Sequence, residues 1–334
     1  MRYNRQHLLV LLWLTSIVTV SACYSGSVLA GTAIPSQVGE ILHWLPLDTE
    51  TIVVASGPFK LEKAPGHQSF HLQKAMESLP IGILQELMPR ELTGRTVSLA
   101  VEGSRCFRSP RGLGMMPFQG CQVVVFEEDT ASALTAAMRS LLDSARRTIE
   151  FSGQRVAVFE KRWEENTWTL YVAQPRPGIL LCATHEGYLK EMLTRMAGKP
   201  STRAMAQDIP EWKHVSTKAR VWAVRHYSKA GAAQDPSSPL RDEAAANVPD
   251  LGAVGMTFSY DADGKLATVR YLTRAKDAVA ITRKGWYLPG EKLTPKIEEV
   301  EAGVVQITIT VGNDEVGGIF LFVLLARLGH AVYV

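Results

Sequence analysis

The chain has 334 residues and balances 36 Lys and Arg against 33 Asp and Glu, a formal net charge of +3. A charge so close to neutral gives no electrostatic basis for gripping a polyanion, so nucleic acid is not an expected partner. With 46% hydrophobic and 21% charged residues the composition is globular, outside the disordered, collagen-like and disulfide-scaffold classes, and the length suffices for a large core in two units.

Arg2 and Arg5 precede a run from Leu8 to Val20 broken only by Thr15, Ser16 and Thr19, and residues 1–22 contain no acid. A basic segment followed by an apolar one is the pattern of an export leader. The apolar run falls short of the roughly 20 residues a helix needs to cross the hydrocarbon core, which favours cleavage over a permanent span. Val20-Ser21-Ala22-Cys23 then resembles the bacterial lipobox, whose cysteine is acylated and becomes the first mature residue. Cys23 is therefore the expected lipidation site. Val28-Leu29-Ala30 is a competing cleavage site that would free the chain from Gly31. Both routes export the protein; the first leaves it membrane-anchored by lipid in the cell envelope, on the periplasmic or extracellular face. Loss of residues 1–22 lowers the net charge from +3 to +1.

The organisation expected from the sequence is a signal peptide over 1–22, a linker over 23–34, a first α+β domain over 35–200 and a second over 201–334. Gln37 to Trp44 has helical spacing with Ser36 as N-cap, and Leu45-Pro46-Leu47-Asp48 leads into a strand from Thr51 to Ser56. Helical spacing recurs over 69–79 and 81–88, broken by Pro80. Strands are expected at 97–102 and 121–127, then a helix to about Ala145 with Leu134, Ala137, Met138, Leu141 and Leu142 on one face. Arg155 to Lys161, Thr167 to Ala173 and Ile179 to Thr184 form an antiparallel meander, since their short connections leave no room for crossover helices. A helix from Glu186 to about Met196, with Thr184 as its cap, stops at Gly198 and Pro200.

The second half repeats the scheme loosely. Ile209-Pro210-Glu211-Trp212 precedes a strand from Ala219 to Tyr227, 228–247 reads as a long loop, and a hairpin turns at Asp261-Ala262-Asp263-Gly264. A strand from Val304 to Val311 leads into a helix through about Leu328, too short to span a membrane. The expected fold class is α+β: antiparallel β-sheets with helices packed on one face, in two loosely repeated halves. The Leu-Pro-x-Asp entry, strand pair, amphipathic helix and meander ending at Thr184-His185-Glu186-Gly187-Tyr188-Leu189 resemble exported bacterial proteins grouped as domain-of-unknown-function 3352. That resemblance covers about 45–200, implies export and an α+β fold, and supplies no activity; the 228–247 insertion departs from it.

Three cysteines follow Cys23. Cys106 and Cys121 flank the loop between two strands, and antiparallel pairing would bring their Cα atoms within the roughly 4.4–6.8 Å a disulfide requires; closing about 15 residues would stabilise by about 3 kcal/mol. Cys182 lies in an apolar strand and reads as an inert core residue. The loop the disulfide would close carries Arg108 and Arg111 beside Met115, Met116 and Phe118, cations interleaved with pliable apolar groups, a pattern suited to gripping a partner.

The common local catalytic signatures are absent. His67 and His71 have the i, i+4 spacing of a metal pair but no nearby third ligand. His185-Glu186 sits at a helix start, and Arg225-His226-Tyr227 ends an apolar strand. Trp163, Trp168, Trp212, Trp222 and Trp286 read as core and strand aromatics. The expected function is therefore a non-enzymatic envelope lipoprotein that meets the membrane through its lipid and an envelope protein through the 106–121 loop, with no catalytic residue, metal or cofactor. A periplasmic carrier of an apolar small ligand is one alternative. An exported hydrolase is the other, and it requires His226 or His185 to meet a carboxylate and a nucleophile.

Overall fold

The computed structural model describes residues 33–62, 84, 87–105, 119–163, 166–198, 200–226, 253–261, 266–273, 277–280 and 295–310. Among the described residues twelve strands form one antiparallel sheet in the order β11-β12-β10-β9-β8-β1-β2-β3-β7-β6-β5-β4. They are β1 (Thr51–Lys60), β2 (Thr96–Arg105), β3 (Gln119–Phe126), β4 (Arg147–Phe151), β5 (Gln154–Trp163), β6 (Asn166–Arg176), β7 (Ile179–Ala183), β8 (Val221–His226), β9 (Ala253–Asp261), β10 (Leu266–Thr273), β11 (Lys296–Glu301) and β12 (Val304–Thr310). Three α-helices are described: α1 (Ser36–Trp44), α2 (Ala131–Ser144) and α3 (Glu186–Gly198).

The central strands are nearly continuous apolar runs, such as Ile52-Val53-Val54-Ala55 and Val221-Trp222-Ala223-Val224, because both of their faces are buried. One face holds Val53, Ala100, Val124, Cys182, Ala223 and Phe258 together with Leu134, Ala137, Met138 and Leu141 of α2. The other holds Ile52, Val101, Val123, Leu181 and Val224 with Val38, Ile41 and Leu42 of α1 and Tyr188, Leu189, Met192 and Leu193 of α3. Each helix thus buries an i, i+3, i+4 stripe.

The α+β class with antiparallel pairing is present, but two finer expectations change. The helices occupy both faces: α2 packs opposite α1 and α3. The strands form one sheet, because β1 of the first half is hydrogen-bonded to β8 of the second, with Thr51 opposite Arg225 and Ala55 opposite Val221. The expected boundary near residue 200 coincides with the end of α3, yet the sheet runs through it. Two strands were not anticipated. β4 joins β5 through Ser152 and Gly153, both at positive φ, a two-residue hairpin turn. β11 carries Lys296, Glu298, Glu299 and Glu301 around a single buried Ile297, the charge expected of an edge strand. Ser36 is the first residue of α1, preceded by Pro35, with no side-chain cap bond.

Candidate functional site

The loop expected to make contacts leaves the seventh strand of the sheet and returns on the eighth, β2 and β3. Its base is an ordered ladder in which Gly103 lies opposite Cys121, Ser104 opposite Gly120 and Arg105 opposite Gln119. Arg105 ties three elements together at this point. Its Nε lies 2.6 Å from Asp48 Oδ1 in the turn before β1, its Nη2 donates to Glu191 Oε2 of α3 at 2.7 Å, and its guanidinium carbon sits 5.0 Å from the centre of the Tyr188 ring.

Tyr188 is wholly buried beneath that cation. Thr49 Oγ1 donates to the Pro46 carbonyl at 2.7 Å, which leaves the Tyr188 hydroxyl to donate to Thr49 Oγ1, also at 2.7 Å. Burial pushes the Tyr188 phenol well above its ordinary pKa, so it stays neutral and able to donate. Gly103 makes this packing possible: a Cβ there would lie 2.7 and 2.8 Å from the Leu45 methyls and 3.0 Å from the Tyr188 hydroxyl.

The start of α3 is built differently from expectation. The Thr184 hydroxyl accepts from the Gly120 N–H at 3.2 Å, bracing β3, and the cap is instead His185, whose Nδ1 accepts from the Tyr188 N–H at 3.3 Å. An accepting Nδ1 requires the neutral ring with its proton on Nε2. Burial lowers the His185 pKa, and the Arg105 charge lowers it further. Glu186 follows in the first turn and pairs with Lys190 at 2.5 Å, an interaction that lowers its own pKa.

On the opposite face of β2 and β3, Gln122 Nε2 donates to Glu102 Oε2 at 3.0 Å, both side chains being buried. Cys121 and Cys182 are free buried thiols. They point to opposite faces, for Cys121 is opposite Ala183 while Cys182 is opposite Gln122. Burial raises the pKa of both. Cys106, the expected disulfide partner of Cys121, lies outside the described residues, as do Cys23, Arg108, Arg111, Met115, Met116 and Phe118.

Of the other polar candidates, His226 meets a carboxylate. Its Nδ1 is 3.0 Å from Oε1 of Glu211, which is fully buried on the short 3-10 helix Pro210–Lys213. Among the described residues no serine, threonine or cysteine side chain bonds to that ring, the place a hydrolytic nucleophile would take. Trp212 and Trp222 meet edge to face at 6.3 Å, with Arg203 over Trp212, inside the core. His67, His71, Tyr227 and Trp286 lie outside the described residues, and among those described no three His, Cys, Asp or Glu side chains group to hold a metal. Sequence reasoning missed Arg105 as the clamp and Glu211 as the partner of His226; the one local signal for either was a glycine inside a strand, Gly103 or Gly255.

No helix among the described residues is long and apolar enough to cross a membrane. No family model matches the chain, and no curated protein is similar to it in sequence. Solved structures similar to it are crystal forms I, III and IV of the Treponema protein TP0453, at TM-scores of 0.45, 0.45 and 0.44 and identities of 10, 12 and 10%. The overlaps span 84% of this chain and 95, 96 and 95% of those chains. So loose a likeness carries no argument about function.

Proposed function

We propose that the protein is a cell-envelope lipoprotein, anchored through Cys23, that acts as a non-enzymatic binding protein and contacts an envelope protein partner through the loop between β2 and β3. The observation that carries this reading is the mounting of that loop. It springs from mid-sheet strands, and the Arg105 clamp to Asp48 and Glu191 holds its base. A contact surface on a rigid base loses less conformational freedom when a partner binds.

The path of α1 supports a partner other than the anchoring leaflet. Leu45, just beyond the end of α1, packs at Gly103 near the loop base. At the other end of the helix, the Ala33 carbonyl accepts from Thr217, just before β8 begins. Since Thr51 pairs with both Ser104 and Arg225, the start of β8 and the loop base are at opposite ends of the strands. The linker from Cys23 therefore joins the body at the end remote from the loop. Ten linker residues reach at most about 35 Å, enough to stand the body off a headgroup layer. Two loosely repeated halves belong to the same reading: β1 to β3 step outward from the centre of the sheet in one direction, and β8 to β10 in the other.

The test replaces Met115, Met116 and Phe118 together by serine in the protein expressed with its own leader. Retained circular dichroism and urea midpoint with loss of a reproducibly co-purifying envelope protein is the expected result; an unchanged partner profile overturns the proposal. Intact mass of the mature chain, with and without reduction and alkylation, reads the anchor and the thiols directly. A mature chain beginning at an acylated Cys23 is expected, whereas one beginning at Gly31 removes the lipid anchor.

A further inference from the structure

We propose that His185 is an acid-sensitive latch on the base of the β2–β3 loop: its neutral ring caps α3, and protonation unfastens the first turn of α3 and with it the Arg105 clamp. As a device that regulates the contact loop, it rests on the function proposed above; the conformational step itself does not.

The geometry is local. Tyr188 supplies both ends of the coupling, its backbone N–H bonding to His185 Nδ1 and its ring and hydroxyl holding Arg105 and Thr49. A protonated Nδ1 cannot accept, so the Tyr188 N–H loses its cap. The new cation would also stand at the positive end of the α3 dipole. The charged groups that act on the ring are Arg105 from β2, which opposes its protonation, and Glu186 from α3, which favours it. Asp48 and Glu191 are engaged with Arg105. Gly187 leaves the ring its place, since a Cβ there would be 3.1 Å from His185 Cε1, and the ring is exposed on its outer side.

The sign follows from linkage. Burial and Arg105 depress the folded-state pKa of His185, so its stabilising contribution is full above the ordinary histidine value of about 6.5 and is lost as pH falls towards the folded value. Most carboxylates remain ionised through the upper part of this window, which separates the latch from general acid unfolding.

The experiment is hydrogen exchange by mass spectrometry on the full mature protein between pH 7.5 and 5, corrected for intrinsic rates, comparing wild type with His185→Asn. Asparagine is a strong N-cap that does not titrate in this range. The wild type should lose protection over 185–191 and 103–105, by up to about tenfold per pH unit for one coupled proton, while H185N keeps it. Equal loss in both proteins overturns the latch, as does no loss in the wild type. If H185N is less protected at pH 7.5, His185→Asp tests the cap independently; a protection loss in H185D as steep as in wild type again overturns the proposal. No partner enters this readout, so failure of the binding function and failure of the latch are separately visible. With the latch intact, retention of the partner by wild type and not by H185N should fall with acidity.

Discussion

Gly255 is expected to be intolerant of a single methyl group, for a reason that can be isolated. A Cβ at this position would lie 1.6 Å from Glu211 Oε1, 2.4 Å from its Cδ and 2.6 Å from its Cγ. Because the clash involves the whole carboxyl end, no rotation of the terminal group clears it, and Glu211 must leave its seat or β9 must shift. Leaving breaks the 3.0 Å contact with His226, a charge-assisted hydrogen bond of about 1.5–3 kcal/mol, and overpacking in a closed core typically costs about 1–3 kcal/mol. Less the roughly 0.5–1 kcal/mol by which a strand favours alanine over glycine, Gly255→Ala should therefore destabilise by roughly 2–5 kcal/mol in urea unfolding. In a Glu211→Ala background the space is empty, and alanine in a strand is intrinsically preferred to glycine by about 0.5–1 kcal/mol. There the same substitution should be nearly neutral, giving a coupling of about 2–5 kcal/mol in the double-mutant cycle. An equal cost in both backgrounds would show that the backbone of β9, and not the Glu211 carboxylate, rejects the methyl, and would refute the reasoning.

Tyr188→Phe removes the donor to Thr49 while leaving the bond from Thr49 to Pro46 in place; a loss of about 1 kcal/mol in chemical denaturation is expected, and no loss would mean that the buried hydroxyl anchors nothing. Cys182 is fully buried with its thiol pKa raised, so iodoacetamide at pH 8 should leave it unmodified in the native protein and modify it in urea, as peptide mass mapping would show. Rapid native labelling of Cys182 would contradict its burial on the face of the sheet that α2 covers.

Much of this fold is legible in the sequence because burial writes itself into the chain as periodicity. The apolar stripe Leu134, Ala137, Met138, Leu141 marks α2 by its spacing alone, and the short connections of the 155–184 meander dictate antiparallel neighbours, which β5, β6 and β7 are. Which face each helix chooses is not written there. A stripe states that a helix is buried on one side without naming the side of the sheet, and α2 takes the opposite face from α1 and α3. The two strands that periodicity misses are the edge strands of the described sheet, where charge replaces apolar side chains. The pattern that betrays a central strand is weakest there.

The polar constellations are harder still to read, because their members come from distant parts of the chain. Arg105 and Glu191 are 86 residues apart and His226 and Glu211 are 15 apart, yet each pair is in contact. No spacing rule reaches across such separations, and Leu-Pro-Leu-Asp is legible as an entry to a strand without revealing that Asp48 meets Arg105. Glycine is the usable clue. Gly103 and Gly255 both interrupt β-strands without the positive φ that would require glycine for backbone reasons. A strand-interior glycine of that kind marks a close approach by something else. At Gly103 it is Leu45 and the Tyr188 hydroxyl; at Gly255 it is the Glu211 carboxylate. In each case the absent Cβ admits the side chain that the neighbouring polar group depends on, Tyr188 beneath Arg105 in the first and Glu211 beside His226 in the second. The glycines therefore point to both polar constellations, even though the sequence alone could not name the side chains that would fill the space.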